Sequence, residues 1–308
     1  MFTIFGSGFG LYGYLPAIID GLKEDVCLPE KYRVTINSRP DLERFEPEIM
    51  WVDTEDSAIK CSDKIVISVK PKAQRSIVRR CLDSGFSGHF YLEKPLSNSP
   101  AESEVLLDLL DSHSVDYSVG YSFLYLDRMQ EIFKNCDPEK VIQVEWHFMA
   151  HHFANRLKNW KRHEIDGGGV LRFYGIHIVA LLALHGYSGV VNSRLTGTKL
   201  GEPSLWEACL CNQDLTKCNI IVDSRSENLV FRVKVDSEVI LSLDDPFYVN
   251  GLSKVGEDRR FFSLVRFLKD SSGLASNRKL YRSINKTWAS IERNSVFSSS
   301  EKIKNKAP

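Results

Sequence analysis

The sequence predicts a two-domain protein in which an α/β domain with a doubly wound parallel sheet precedes an α+β domain with an open, largely antiparallel sheet. Strand-like and helix-like segments alternate over about the first 120 residues, which is typical of a parallel sheet. A glycine-rich turn joins the first strand to the first helix. The later strand-like segments follow one another with short turns between them, which favours antiparallel pairing.

The predicted first domain spans residues 1–121 and opens with an apolar run at 2–5 that stops at Gly6. Apolar residues at helical spacing follow from Leu15, and the order strand, glycine turn, helix is the start of a βαβ unit. A capping box at 99–102, with Pro100 at the first helical position, begins a later helix. Further strands are expected at 33–36, 64–69, 90–92 and 115–121, and a further helix at 71–81.

The predicted second domain spans residues 122–308 and begins its core with a long apolar helix at 170–184. Residues 293–308 are rich in Ser and Lys and contain few apolar residues, so we expect them to form a flexible tail. Strands are expected at 141–147, 194–199, 205–211, 218–223, 229–235 and 239–243, and helices at 259–268 and 284–291.

Charge and cysteine content exclude several classes of protein. The 308 residues include 40 Lys and Arg and 40 Asp and Glu, so the net charge is zero and a small-molecule substrate is favoured over nucleic acid or a membrane. Seven scattered cysteines without a C-x-x-C spacing argue against a disulfide scaffold and a zinc site, and no metal site is predicted. No apolar run approaches the ~20 residues of a membrane span, and the N-terminus lacks the basic region of a signal peptide, so we expect a cytoplasmic protein.

The glycine turn Gly6-Ser7-Gly8 has the strand-turn-helix context of a dinucleotide-binding site. The first glycine permits the turn, and the second lets backbone amides approach a diphosphate at the helix N-terminus. The third position of that fingerprint holds Leu11, with glycines at 10 and 13 instead. The alternative is that these glycines only terminate a strand.

The residues after the second strand determine whether NAD or NADP is preferred, because an acid there binds the ribose 2′-hydroxyl and an Arg pairs with a 2′-phosphate. The predicted second strand at 33–36 is followed by Asn37, Ser38 and Arg39, with no acid before Asp41. Ser38 can hydrogen-bond, and Arg39 can pair with phosphate or stack on adenine. We therefore expect NADP(H), with NAD(H) possible if Arg39 is only a solvated loop charge.

Two later motifs add a family resemblance. Glu93-Lys94-Pro95 separates a strand from the capped helix, and Gly167-Gly168-Gly169 precedes Gly175-Ile176-His177. Together with the N-terminal glycine turn, their order along the chain resembles the Gfo/Idh/MocA family of NAD(P)-dependent oxidoreductases, which includes glucose-fructose oxidoreductase and inositol dehydrogenase. The resemblance implies a Rossmann domain, a second domain whose open sheet forms a homodimer or homotetramer, and hydride transfer to or from a sugar, sugar nucleotide or cyclitol.

The resemblance also assigns roles to individual residues. Lys94 matches the lysine that hydrogen-bonds the reacting oxygen, His177 matches the acid/base residue, and Pro95 matches a proline often preceded by a cis peptide. The implied substrate-binding residues are Tyr121, Trp160, Phe173 and Tyr174. The cofactor-binding residues predicted from the glycine turn, from the residues after the second strand and from the resemblance are together Gly6, Ser7, Gly8, Phe9, Gly10, Ser38, Arg39, Val69, Glu93 and Lys94.

The chain departs from the family pattern at Phe173, where members often have Asp, and at Gln74, where His is usual. Loss of the Asp leaves open a reductase of an imine or conjugated double bond on the same fold. A non-catalytic, cofactor-binding or ligand-binding homologue is a third possibility. Taken without the family, a lysine at a strand end and a histidine with a pKa near ~6.5 suit proton transfer, although a lone histidine on an apolar helix is more often a core residue.

Overall fold

The computed structural model describes residues 1–137, 139–214, 216–247, 258–270, 273 and 277–299. The chain folds into two compact units. The first comprises Met1–Ser97, Val105–Tyr125 and Phe247–Asn277, and the second comprises Asn98–Glu104, Leu126–Pro246 and Arg278–Pro308. Both units are discontinuous, whereas the sequence predicts one division after residue 121. The first unit therefore includes a helix from near the C-terminus that the prediction assigned to the second domain.

Helices alternate with strands in the first part of the chain, whereas the strands between residues 189 and 243 follow one another with no helix among the described residues there. Short π-helical segments occur at Gly10–Tyr14, Ala17–Leu22 and Val170–Gly175, and 3-10 turns at Glu30–Tyr32, Glu46–Glu48, Ser122–Tyr125, Trp160–Arg162 and Glu164–Asp166. The α-helices are α1 (Arg33–Asn37), α2 (Pro40–Glu43), α3 (Glu55–Cys61), α4 (Pro71–Asp83), α5 (Pro100–Ser112), α6 (Asp127–Asn135), α7 (His151–Ala154), α8 (Ile176–Leu184), α9 (Phe261–Lys269) and α10 (Arg278–Asn294).

The first unit is built on a six-stranded parallel sheet of order β3-β2-β1-β4-β5-β6. The strand order reverses direction between β1 and β4, and doubly wound sheets bind ligands at the carboxyl ends of strands beside such a switch point. The predicted doubly wound parallel sheet is confirmed. Its strands are β1 (Phe2–Phe5), β2 (Val26–Pro29), β3 (Ile49–Val52), β4 (Lys64–Ile67), β5 (His89–Leu92) and β6 (Asp116–Val119).

The second strand is not the predicted one. Residues 33–36 belong to helix α1, and β2 is the fully buried run Val26–Pro29. Val34 is 78% exposed whereas Ile36 is buried, so these two side chains do not share a face as they would in a strand. Four residues of alternating polarity fit a short helix equally well, and a strand buried on both faces shows no alternation. The prediction of a strand at 33–36 is therefore wrong.

The second unit holds a seven-stranded sheet of order β12-β11-β7-β10-β9-β8-β13. The pairs β7–β10 and β8–β13 are parallel and the other neighbours are antiparallel, which confirms the predicted open, largely antiparallel sheet. Helix α10 packs against α8 and against β8. The strands are β7 (Ile142–Met149), β8 (Gly189–Gly197), β9 (Pro203–Cys211), β10 (Lys217–Asp223), β11 (Arg225–Val235), β12 (Glu238–Leu243) and β13 (Ser295–Ser299).

The predicted tail is partly ordered structure. Helix α10 continues to Asn294, and residues 295–299 form the edge strand β13 beside β8. The hydroxyls of Ser193 and Ser295 lie 2.7 Å apart across this pair. The prediction of a flexible tail is wrong for these residues, because main-chain pairing to a strand edge does not require apolar side chains. Residues 300–308 lie outside the described residues.

The most apolar helical stretch lies inside the protein. Glu164–Leu184 is long and apolar enough to cross a membrane by length and composition, but 78% of its most apolar window is buried. In α8 every residue from Ile176 to Ala183 is buried. This burial is what a core helix of a folded domain requires.

Candidate functional site

The predicted dinucleotide-binding turn lies at the carboxyl end of β1, beside the switch point of the sheet. Gly6 has a φ of 132°, and a Cβ there would clash with the backbone carbonyl of Ser68. A Cβ at residue 10 would lie 2.9 Å from Cγ2 of Ile4, so Gly10 supplies the close helix–strand packing that the fingerprint assigns to position 11. At Gly8 a Cβ would meet no described atom within 4 Å, so the turn opens into free space there.

Phe9, the next residue of the turn, is fixed from two sides. Its ring occupies the space that a Cβ at Gly13 would need. On its face lies the guanidinium of Arg260, whose Cζ is 3.8 Å from the ring centroid. Arg260 also donates from Nε and Nη2 to the two carboxylate oxygens of Asp258, at 2.8 and 2.7 Å. Burial opposes the charge of the guanidinium, but Asp258 outweighs it and raises the pKa of Arg260 above its ordinary value.

The carboxyl end of β2 meets the same turn. The hydroxyl of Tyr32 accepts a hydrogen bond from the backbone N–H of Gly6 at 3.1 Å. The residue that directly follows β2 is Glu30, a partly exposed acid whose carboxylate lies 3.3 Å from Arg33. This is the position at which dinucleotide-binding sheets place the acid that binds a ribose 2′-hydroxyl. In the sequence, the run of four apolar residues at 26–29 indicates the strand that ends just before Glu30.

The two residues predicted to select NADP lie in the connection from α1 to α2, not after the second strand. Ser38 donates from its hydroxyl to the carbonyl of Thr35 at 2.9 Å. Arg39 makes two hydrogen bonds to Asp41, at 3.2 and 2.6 Å. Its guanidinium is 5.4 Å from the ring centroid of Tyr12, which places it near the glycine turn. The premise that these residues follow the second strand is wrong.

Glu93, Lys94 and Pro95 lie at the carboxyl end of β5, and the Lys94–Pro95 peptide is cis, as the resemblance implies. Glu93 is 9% exposed and Lys94 is 8% exposed. Tyr14, from the first helical segment, donates its hydroxyl to Oε1 of Glu93 at 2.7 Å. Burial raises the pKa of the Glu93 carboxyl, and the opposing effects of Lys94 and the Tyr14 hydrogen bond do not cancel that rise.

Gln74 holds the backbone on both sides of Lys94. Its Nε2 donates to the carbonyl oxygens of Glu93 at 2.8 Å, Pro95 at 2.8 Å and Leu96 at 3.3 Å. The side chain is fully buried, and within the described residues its Oε1 has no hydrogen-bond partner. The residue that departs from the family pattern therefore anchors the loop that carries the predicted catalytic lysine.

Val69 and Tyr121 complete the predicted residues of the first unit. Val69 comes two residues after β4, where the backbone N–H of Ser68 donates to the carbonyl of Phe5 at the end of β1. Tyr121 comes two residues after β6, is 2% exposed, and its phenol has a pKa raised by burial. The glycine turn, Val69, the Glu93-Lys94-Pro95 tripeptide and Tyr121 thus share one edge of the parallel sheet.

In the second unit the triple glycine positions the helix that carries His177. A Cβ at Gly168 would clash with the backbone of Trp160, so the turn at Trp160–Arg162 packs directly on the glycines. Arg172 anchors the helix start through hydrogen bonds to Glu292 at 2.6 and 3.0 Å. His177 lies in the first turn of α8 and is 4% exposed.

Three of the predicted substrate-binding residues belong to an aromatic cluster in the second unit. Ring centroids are 4.7 Å apart for Phe148–Tyr174, 4.8 Å for Phe173–Tyr174 and 5.4 Å for Trp160–Phe173. The ammonium of Lys161 lies 5.3 Å from the ring centroid of Phe173. Position 173, where the family often has a carboxylate, therefore contributes a partly exposed apolar ring beside a cation.

His152 adjoins this cluster and is 2% exposed. Burial, with smaller contributions from Arg162, Lys161 and His151, lowers the pKa of His152 from 6.5 to about 4. The imidazole is therefore neutral at neutral pH. Within the described residues, no three His, Cys, Asp or Glu side chains are grouped so as to hold a metal ion.

No protein-family model and no curated protein sequence matches this chain. Solved structures do match. The WlbA dehydrogenase of Thermus thermophilus in complex with NAD and UDP-GlcNAcA is 14% identical, with a TM-score of 0.69 over 97% of this chain and 96% of that chain. The Bordetella pertussis WlbA dehydrogenase with NADH and UDP-GlcNAcA is 12% identical, with a TM-score of 0.72 and 95% of both chains covered.

A third match is an oxidoreductase from Agrobacterium radiobacter in complex with NAD⁺, L-tartaric acid and magnesium, at 11% identity, a TM-score of 0.70 and 94% coverage of both chains. At these identities the likeness concerns the fold, which extends over nearly the whole of each chain. The fold expected from the motif resemblance is therefore that of this protein.

Proposed function

We propose that the protein is an NAD(P)-dependent oxidoreductase of the Gfo/Idh/MocA type that transfers a hydride between nicotinamide and a carbonyl or carbinol carbon of a carbohydrate-type small molecule. The observation that carries the proposal is the placement of an open glycine turn and a buried Lys94 at the same carboxyl edge of one doubly wound sheet. The shared fold with WlbA dehydrogenases that bind NAD or NADH together with UDP-GlcNAcA supports a sugar nucleotide as the substrate class.

The residues of the first unit fit a nicotinamide dinucleotide. The free space over Gly8 admits a diphosphate, which the amides at the start of the helical segment can bind. When bound, nicotinamide supplies or accepts the hydride. Lys94 donates a hydrogen bond to the reacting oxygen, while Gln74 fixes the backbone around it and Tyr14 fixes the neighbouring Glu93. Oxidation of a carbinol also releases the hydroxyl proton, and we assign its acceptance to His177 on the family resemblance; reduction reverses both transfers.

We further infer that NAD(H) is preferred over NADP(H). The carboxylate of Glu30 directly follows β2, where it can accept a hydrogen bond from a ribose 2′-hydroxyl and would repel a 2′-phosphate. The opposite preference, predicted from Ser38 and Arg39, depends on a second strand at 33–36 that does not form. Arg39 is also engaged by Asp41. Structures of this fold with NAD or NADH bound support the same choice.

Turnover of keto-sugar nucleotides with NADH and NADPH tests the proposed function. We expect Lys94→Ala and His177→Ala each to lower kcat about 100-fold or more, the usual contribution of a positioned proton donor. Lys72→Ala and His113→Ala, which alter exposed residues of the same types, serve as controls and should retain full turnover. Unchanged turnover in both Lys94→Ala and His177→Ala would reject the assignment.

A second candidate function is reduction of an imine or conjugated double bond. The apolar ring of Phe173, set between Trp160 and Tyr174, favours it because that position cannot hydrogen-bond a sugar hydroxyl. Comparing cyclic imines and enones with keto-sugar nucleotides in the same assay separates the two. If only the imine or enone is turned over, reduction of that bond would replace the proposed carbohydrate oxidoreductase function.

We also propose that copies of the chain associate through the seven-stranded sheet, in the cytoplasm. Large apolar side chains are exposed at both edges of this sheet, on the paired strands β11 and β12 and on the paired strands β8 and β13, where a second copy would bury them. Light scattering of the purified protein should give the mass of a dimer or tetramer, and a mass of 35.1 kDa would contradict the proposal. The exposed residues are Val191, Leu229, Val239, Ile240 and Val296.

A further inference from the structure

We infer that Arg260 is a further cofactor-binding residue, whose guanidinium contacts the diphosphate of the dinucleotide above the glycine turn. This inference rests on the proposed function, since it assumes that a dinucleotide binds at the turn. Neither the sequence motifs nor the family resemblance points to this residue, which lies about 250 positions after the turn.

The position of Arg260 follows from the packing of α9 within the first unit. Arg260 is the residue immediately before α9, and α9 packs against both π-helical segments that follow the glycine turn. This packing brings the guanidinium to 3.8 Å from the ring centroid of Phe9, the residue after Gly8. Arg260 is also close enough to Glu93 to act on the pKa of its carboxyl. The cation therefore lies at the turn that would bind a diphosphate.

The guanidinium is held rigidly and still has donors to offer. Stacking on Phe9 fixes its plane, and the fork to Asp258 uses one N–H of Nε and one of Nη2. A guanidinium has five N–H groups, and within the described residues Nη1 makes no hydrogen bond. The side chain is 27% exposed, so part of it remains open to a ligand. Planar guanidinium groups match phosphate oxygens in geometry as well as in charge.

Charge balance explains why Asp258 belongs to the arrangement. A half-buried guanidinium without a counter-charge would be unfavourable in the free protein. Asp258 neutralises it, and the pKa of this carboxyl is held below its ordinary value, because Arg260 outweighs the opposing effect of burial. A bound diphosphate would add negative charge next to the guanidinium and could accept from the N–H groups that Asp258 does not use. A purely structural ion pair is the competing explanation, and it predicts no change in ligand affinity.

The test uses ADP-ribose, which contains the diphosphate and adenosine of the cofactor but no nicotinamide. Calorimetric titration of the full chain should show that Arg260→Gln binds ADP-ribose and NADH roughly tenfold to a hundredfold more weakly than the natural protein. Arg259→Gln, at the exposed neighbouring position, is the matched control and should bind within about twofold of it. Unfolding in urea without ligand reports whether each variant is folded.

Arg260→Lys is a second variant that keeps the test valid if Arg260→Gln does not fold. It keeps the charge next to Asp258 but loses the planar fork, so we expect ADP-ribose affinity at least about fivefold below that of the natural protein. Equal affinity of the natural protein and Arg260→Lys, together with equal affinity of any folded Arg260→Gln, would overturn the inference and leave a structural ion pair. Failure of the natural protein to bind either ADP-ribose or NADH would overturn the proposed function, and this inference with it.

Discussion

Replacing Gln74 with Met removes the amide that holds the loop around Lys94 and keeps a side chain of similar length. Three carbonyl oxygens accept from Nε2, at 2.8, 2.8 and 3.3 Å, but one amide nitrogen carries two hydrogens. The substitution therefore breaks two full hydrogen bonds and leaves buried acceptors, which destabilises by about 4 kcal/mol. Removing Oε1, which has no partner among the described residues, restores about 2 kcal/mol. We expect the free energy of unfolding to fall by about 2 kcal/mol.

Urea unfolding at neutral pH measures this loss, with Gln213→Met as a control that makes the same chemical change at an exposed position. Gln74→His can return one ring N–H to the loop and should recover part of the stability. If the loop positions Lys94, kcat for carbonyl reduction should fall in Gln74→Met while the affinity for NADH stays unchanged. A difference from the control below about 0.5 kcal/mol, with unchanged kcat, would refute the assigned role of Gln74.

Three further changes test other parts of the structure. Glu30→Ala should weaken NADH binding in a fluorescence titration and leave NADPH binding equal or stronger. If Arg39→Ala loses NADPH binding while Glu30→Ala changes neither affinity, the NADP(H) preference predicted from the sequence would be restored. Because the pKa of His152 is lowered from 6.5 to about 4, the unfolded chain binds a proton between these pH values that the native chain does not. The free energy of unfolding is therefore greatest above the unfolded pKa and falls by up to about 3 kcal/mol as the pH drops toward 4. Over the same pH range the urea midpoint of His152→Phe should fall less than that of the natural protein. An equal fall in both would contradict the assigned pKa. A chain ending at Asn294 lacks β13 and exposes the edge of β8, so it should unfold at lower urea and aggregate, while unchanged stability would mean that this pairing is unimportant.

Much of the fold could be predicted because its signals are local. The turn at Gly6, the capping box before α5 and the buried run of β4 each depend on a few neighbouring residues. Strand β2 could not be placed in the same way, because a buried parallel strand lacks alternation and residues 33–36 show an alternation that the helix α1 does not need. Because β2 was misplaced, the cofactor preference was predicted from Arg39 instead of from Glu30.

The candidate site likewise contains residues that local sequence patterns predict and residues that they do not. Lys94 and His177 were predicted from short motifs, whereas Arg260 is brought to the glycine turn only by the packing of α9, which no local pattern reports. Gln74 was visible as a departure from the family, but its role became apparent only from its bonds to the carbonyls around Lys94. Residues that act through tertiary contacts leave no periodic or spacing signal in one sequence.

Titration of NADH into the natural protein and Gly8→Val tests the central claim most directly. A Cβ at residue 8 would point into the free space over the turn and meet no described atom within 4 Å, so we expect the variant to fold as stably as the natural protein. The same side chain would exclude a diphosphate from the backbone amides. We expect saturable NADH binding to the natural protein and none to Gly8→Val at equal urea midpoints. No binding to the natural protein, or equal binding to both, would contradict a dinucleotide site at this turn.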